Sequence, residues 1–151
     1  MRMKKMWWAV AVIAVCATLL FGTGKANNGL RDGYFSAEMS DYSHGWKEFV
    51  TICVKGGVIV SVEYNATNQS GFIKSWDMAY MRSMSALKGM YPNRYTREYA
   101  KQVLESQSSN GIDTVSGATS SGGTFRQLIE AVINMSRSGK NEVTIVPVAK
   151  E

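Results

Sequence analysis

Two β-forming runs joined through a double glycine constrain this chain more than any other feature. Residues 46–54 (WKEFVTICV) and 58–64 (VIVSVEY) alternate and are rich in β-branched and aromatic side chains, with Lys55-Gly56-Gly57 between them. Glycine supplies the positive φ that tight hairpin turns need, so the segment reads as an antiparallel hairpin. Residues 33–39, which include Tyr34 and Phe35, read as an earlier strand.

The period then changes. Within residues 74–88, Trp76, Tyr80, Ser83, Met84 and Leu87 fall at helical spacing, and Gly89 is a natural stop. Tyr91-Pro92-Asn93 breaks the chain. Residues 95–106 read as a second helix, with Thr96 as N-cap and Tyr99, Val103 and Leu104 facing inward. A third helix spans about residues 122–136, with Phe125, Leu128, Ile129, Val132 and Ile133 on one face and Gly139 beyond its end. Residues 143–148 form a last strand, held to an edge because Pro147 cannot donate to a central ladder. The order β-β-β-α-α-α-β implies an α+β fold: a small antiparallel sheet with helices packed on one side.

Residues 1–26 are unlike the rest. They carry Arg2, Lys4, Lys5 and Lys25 with no acid, and residues 6–21 are free of charge. A basic start, a short apolar run and a small-residue exit are the order of a secretory signal peptide or N-terminal anchor. Cleavage after Ala26 is the preferred reading. A lipoprotein signal ending at Cys16 is the alternative, although Val15 is bulky for the preceding position; an uncleaved anchor is the third. In each case residues 27–151 form one domain that works outside the cytoplasmic membrane. Taking the four leader cations from the 17 Lys and Arg leaves 13 against 12 acids, so the net charge of +5 belongs mostly to the leader. Such a body lacks the clustered cations of a nucleic-acid binder. Two cysteines, Cys16 and Cys53, supply neither a disulfide framework nor a thiolate zinc site.

Chemistry concentrates in residues 112–124 (IDTVSGATSSGGT), which are mostly small and lead straight into the third helix. Small side chains let a ligand approach the backbone, and a helix N-terminus with its free N–H groups suits a phosphate. Ser116, Thr119, Ser120, Ser121 and Thr124 add hydroxyls that could bond phosphate oxygens or serve as an attachment point. A polar loop capping a helix would look similar on these grounds alone.

The run Asp113-x-x-Ser116-Gly117-Ala118-Thr119 resembles the attachment motif of the FMN-binding domain family, Asp-x-x-Ser/Thr-Gly-Ala-Thr. The resemblance extends over roughly residues 33–136. Asp32-Gly33-Tyr34-Phe35 is similar to the family's opening strand, and Lys55-Gly56-Gly57 to its hairpin turn. Gly45-Trp46-Lys47 and residues 74–80 look like the branch found in bacterial secreted and surface flavoproteins.

The resemblance implies an FMN-binding domain at 27–151 and FMN held as a covalent phosphoester on Thr119. A flavin transferase using FAD and Mg²⁺ would install it. Asp113, Ser116, Gly117, Ala118 and Ser120 would be read by that transferase or would shape the phosphate pocket. The implied protein is an electron carrier rather than a catalyst, exchanging electrons with membrane or extracellular redox partners. The alternative is a flavin-free surface binding or signalling protein of the same fold.

Other residues are weaker candidates. His44 could tune a flavin, though lone loop histidines are commonly just solvated. Trp46, Phe72, Trp76 and Tyr80 could stack on an isoalloxazine, though aromatics at these spacings usually belong to a core. Cys53 reads as a buried small apolar residue, and Met78, Met81 and Met84 as adaptable packing rather than soft-metal ligands.

Overall fold

The computed structural model describes residues 29–148, so the leader, Cys16 included, lies outside the described residues. Three antiparallel strands come first: β1 (Gly33–Met39), β2 (Lys47–Lys55) and β3 (Val58–Thr67). A 3-10 turn (Lys74–Trp76), α1 (Met78–Lys88), α2 (Pro92–Ser106) and α3 (Thr119–Ser138) follow, then β4 (Thr144–Val146). The sheet order is β3-β2-β1-β4. It is α+β as expected, with helices on one side. The sheet is mixed rather than wholly antiparallel, because β4 joins β1 in parallel, Ala37 opposite Thr144. After α3 has crossed the sheet, the chain re-enters in the direction of β1, and Pro147 lies just beyond the short edge strand.

Alternation decides which face of the sheet is covered. Val50, Ile52 and Val54 of β2, Phe35, Ala37 and Met39 of β1, and Ile59, Val62 and Tyr64 of β3 are all buried. Against them α3 lays Phe125, Leu128, Ile129, Val132 and Ile133, each buried. The five-residue apolar face read from the sequence is thus the centre of the core. It packs on β1 and β2, while α2 covers β3 through Tyr95, Tyr99 and Val103. Cys53 points to the other sheet face and is half-buried, not enclosed.

Three helical expectations need correction. The segment 74–88 is split at Asp77, whose carboxylate caps α1 by accepting from the Tyr80 N–H at 2.9 Å. α1 contributes no buried residue; Trp76 and Leu87 are 67% and 82% exposed. A period of 3.6 establishes a helix with a stripe, not what the stripe meets. α2 begins at Pro92, not Tyr95, because proline lacks only an N–H that the first turn leaves unpaired anyway. Thr96 is therefore inside the helix, buried, with no partner for its hydroxyl among the described residues, and Leu104 is exposed rather than inward. α3 begins at Thr119, three residues before the expected start.

Contacts from outside the elements hold the frame. Gln107 ends α2 in the left-handed region, and its side-chain amide both accepts from the Ile59 N–H (2.7 Å) and donates to the Ile59 carbonyl (3.0 Å). The hairpin turn is fixed by Gly57, at φ 72° and buried, whose N–H donates to the Asp32 carboxylate at 2.9 Å. Gly57→Val should cost about 1–2 kcal/mol or more, since a Cβ-bearing, β-branched residue resists positive φ. Urea denaturation checks this; an unchanged midpoint would show that the turn readily relaxes.

Candidate functional site

Residues 112–118 are clamped to the helices beneath them. The Asp113 N–H donates to Gln102 Oε1 (2.7 Å), and Gln102 Nε2 donates to the Asp113 carbonyl (3.3 Å). Arg126 donates to the Ile112 carbonyl at 3.0 Å. Tyr99, fully buried, accepts from the Val115 N–H (3.0 Å) and donates its phenol proton to the Ala118 carbonyl (3.1 Å). Two glycines make this approach possible. A Cβ on Gly122 would fall 2.3 Å from the Tyr99 hydroxyl. Gly117 has φ 80°, and its Cβ would meet Met90 Cβ at 2.9 Å.

The loop delivers the chain into α3 with Ala118 at the N-cap and no side-chain hydrogen bond to the cap. The N–H groups of the first turn are thus left for solvent or a ligand, at the positive end of the helix dipole. Thr119 is the first helical residue and is exposed.

Beside this N-terminus lies a cleft of about 270 Å³. Its floor and walls come from six parts of the chain. Ser43, His44 and Trp46 come from the β1–β2 connection, Glu48 from β2, Lys74 from the 3-10 turn, and Tyr95 from α2. Tyr80, Met84 and Lys88 of α1 face it at four-residue spacing, so the stripe of α1 meets the cleft and not the core. Gly117, Ala118, Ser120, Ser121 and Thr124 complete it.

The structure thus separates the residues named from the sequence. Gly117, Ala118 and Ser120 line the cleft. Asp113, Ser116 and Thr119 do not; all three are exposed, with Thr119 between two lining residues on the rim. His44, held at φ 51°, lines the mouth with its ring 3.1 Å from the Ser43 hydroxyl. Trp46 and Tyr80 form an aromatic wall, ring centroids 6.1 Å apart. Phe72 and Trp76 instead pack on each other, exposed and outside the lining. Of the methionines, Met84 lines the cleft while Met78 is largely exposed.

Three charged residues of the cleft, Glu48, Lys74 and Lys88, were missed. Glu48 has the same strand parity as Val50, Ile52 and Val54, so it points to the covered side, a signal readable from alternation alone. Burial pushes its carboxyl up, opposed by the nearby Lys74 charge and by hydrogen bonding with Thr124, Ser121 and Tyr64. Lys74 is only 9% exposed, and its ammonium sits 5.7 Å from the Trp46 ring centre and 5.4 Å from that of Tyr80. Burial pulls the Lys74 ammonium down, and Glu48 opposes that shift. Tyr64 is held well above its ordinary value by burial and by Glu48, while its hydroxyl donates to the Ser121 carbonyl at 2.8 Å. Tyr95 is likewise raised by burial. Both phenols stay neutral hydrogen-bonding groups. The cleft therefore combines two cations, one carboxyl, several hydroxyls and an aromatic wall.

Comparison with known proteins gives one sequence relative and two solved structures. The chain is 34% identical over 133 residues to the 15 kDa lipoprotein of Treponema pallidum (strain Nichols), covering 87% of this chain and 94% of that protein. A crystal structure of a Clostridium perfringens protein superposes with a TM-score of 0.76 at 34% identity, over 80% of this chain and 99% of that one. A solution structure of a Clostridium thermocellum protein gives 0.50 at 28% identity, over 75% and 95%. No family model matches the chain.

Proposed function

This chain belongs to the family of the Treponema pallidum 15 kDa lipoprotein, and we propose that it is an exported flavoprotein carrying FMN on Thr119. The observation that carries the reading is the placement of the Thr119 hydroxyl. Thr119 is exposed at the first position of a 20-residue helix whose N-cap offers no side-chain bond, directly beside the cleft.

The residues present fit the group. The uncapped turn with Ser120 and Ser121 suits a phosphate, the Lys88 and Lys74 charges favour an anion, and Trp46 and Tyr80 offer a face for a flat ring. Thr119 would attack a phosphorus of FAD, held with Mg²⁺ by a flavin transferase. The new bond joins Thr119 Oγ1 to the FMN phosphorus while the pyrophosphate bond breaks and AMP leaves. The hydroxyl proton passes to a base of the transferase, and nothing is oxidised or reduced. Clamped by Tyr99, Gln102 and Arg126, the loop presents that hydroxyl on a fixed backbone. When bound, FMN supplies one- or two-electron chemistry. Membrane or extracellular redox proteins would be its partners.

Export draws on the leader-like sequence and on the relative's name as a lipoprotein. That name also adds weight to lipid attachment at Cys16 over cleavage after Ala26. The flavin-free surface-protein reading draws on Thr119 lying at the rim and outside the cleft lining.

The two readings separate on intact mass. Protein made with a flavin transferase, FAD and Mg²⁺ should gain one FMN less water; protein made without the transferase should not. Gly57→Val, less stable at a turn away from α3, should still be modified. An unmodified wild type beside an active transferase would favour the flavin-free reading.

A further inference from the structure

Lys74 is nine-tenths buried, lines the cleft, and among the described residues its ammonium has no hydrogen-bond acceptor; only π faces and the charge of Glu48 attend it. The nitrogen is not among the fully enclosed polar atoms, so the three donors of the ammonium open onto the cleft and its solvent, where an entering anion can take them. Such a group, opening onto a cleft, asks for an oxyanion. Among the described residues, Glu48 is the only carboxyl that lines the cleft.

We propose that the cleft takes an organic oxyanion at Lys74 and that Glu48 picks up a proton as the anion enters. The anion class follows from Lys74 alone; its identity as a flavin phosphate or ring oxygen rests on the reading above. In the ligand-free cleft the Lys74 charge helps keep Glu48 ionised against its burial. An anion paired with Lys74 neutralises that help and adds a repulsion, so the carboxyl binds a proton more tightly. By linkage the affinity is highest where Glu48 is already protonated. It falls as pH rises from the carboxyl's ligand-free range through its higher, anion-bound range. The groups around Glu48 are Lys74 from the 3-10 turn, Tyr80 and Lys88 from α1, and Tyr64 from β3. Tyr95 of α2 and His44 of the loop complete the set, while α3 brings the Ser120, Ser121 and Thr124 hydroxyls.

The test uses the chain made without a transferase, titrated calorimetrically with free FMN and with sulfate in buffers of different ionisation enthalpy. Uptake of a proton with sulfate, and affinity falling with pH, is the expected result. Sulfate matters because its own charge is constant over the range. Glu48→Gln should abolish the uptake and flatten the pH profile. Lys74→Met should weaken both anions at least about tenfold, the loss of a charged hydrogen bond, and Lys74→Arg should restore binding. Proton uptake unchanged in Glu48→Gln, affinity unchanged in a folded Lys74→Met, or no binding of either anion would each overturn the proposal. Sulfate binding with Glu48-dependent uptake in a chain that no transferase modifies would sustain it while removing FMN as the occupant.

Discussion

Thr119→Val should give a folded, colourless protein where the wild type, co-expressed with a flavin transferase, is yellow. The loss should be complete, because the substitution keeps the side chain's shape and removes the only atom through which the phosphoester can form. Stability should change by less than about 0.5 kcal/mol, since Thr119 is exposed and the N-cap position belongs to Ala118. Ser120 and Ser121 are the obvious substitutes. Both line the cleft and lie in the same helical turn, so proximity alone would let either replace Thr119. Absorbance of the purified variant near the flavin bands decides the matter; retained covalent flavin would transfer attachment to one of those serines.

Phe125→Ala should destabilise the chain by about 3–5 kcal/mol, the range for removing a fully buried aromatic side chain. Phe125 is 0% exposed, with its ring 4.7 Å from Tyr64 and 5.2 Å from Tyr99. Those two phenols hold α3 at the Ser121 carbonyl and the motif loop at Val115 and Ala118. The cavity therefore opens under the site as well as within the core. Thermal and urea unfolding followed by circular dichroism measure the loss. A cost under about 1 kcal/mol would mean that the tyrosines collapse into the space.

How far the sequence reaches is plain from individual residues. The hairpin was legible because Gly56-Gly57 and the flanking alternation are local signals. The face of α3 was legible because five apolar residues recur at helical spacing and all five are buried. What failed was anything set by a distant partner. Residues 119–121 read as loop because they precede Gly122-Gly123, yet they are helical; Gly122 is small because the Tyr99 hydroxyl occupies the space its Cβ would need. Tyr80, Met84 and Lys88 sit on a helix, but only the folded chain shows that their stripe looks into a cleft. The motif marked Gly117, Ala118 and Thr119, with Ser120 beside it, while Glu48 and Lys74, far away in sequence, supply much of the local electrostatics. Glu48 was legible in principle from strand parity. The solitary Lys74 ammonium between Trp46 and Tyr80 was not, because three separate segments build that contact.

Peptide mapping of the wild-type chain, purified after co-expression with an active flavin transferase, tests attachment most directly. A proteolytic fragment that includes residues 119–124 should carry one FMN phosphoester, and fragmentation should place it on Thr119 and not on Ser120, Ser121 or Thr124. FMN on another residue, or an unmodified fragment beside a transferase that flavinylates a second substrate in the same cells, would contradict it.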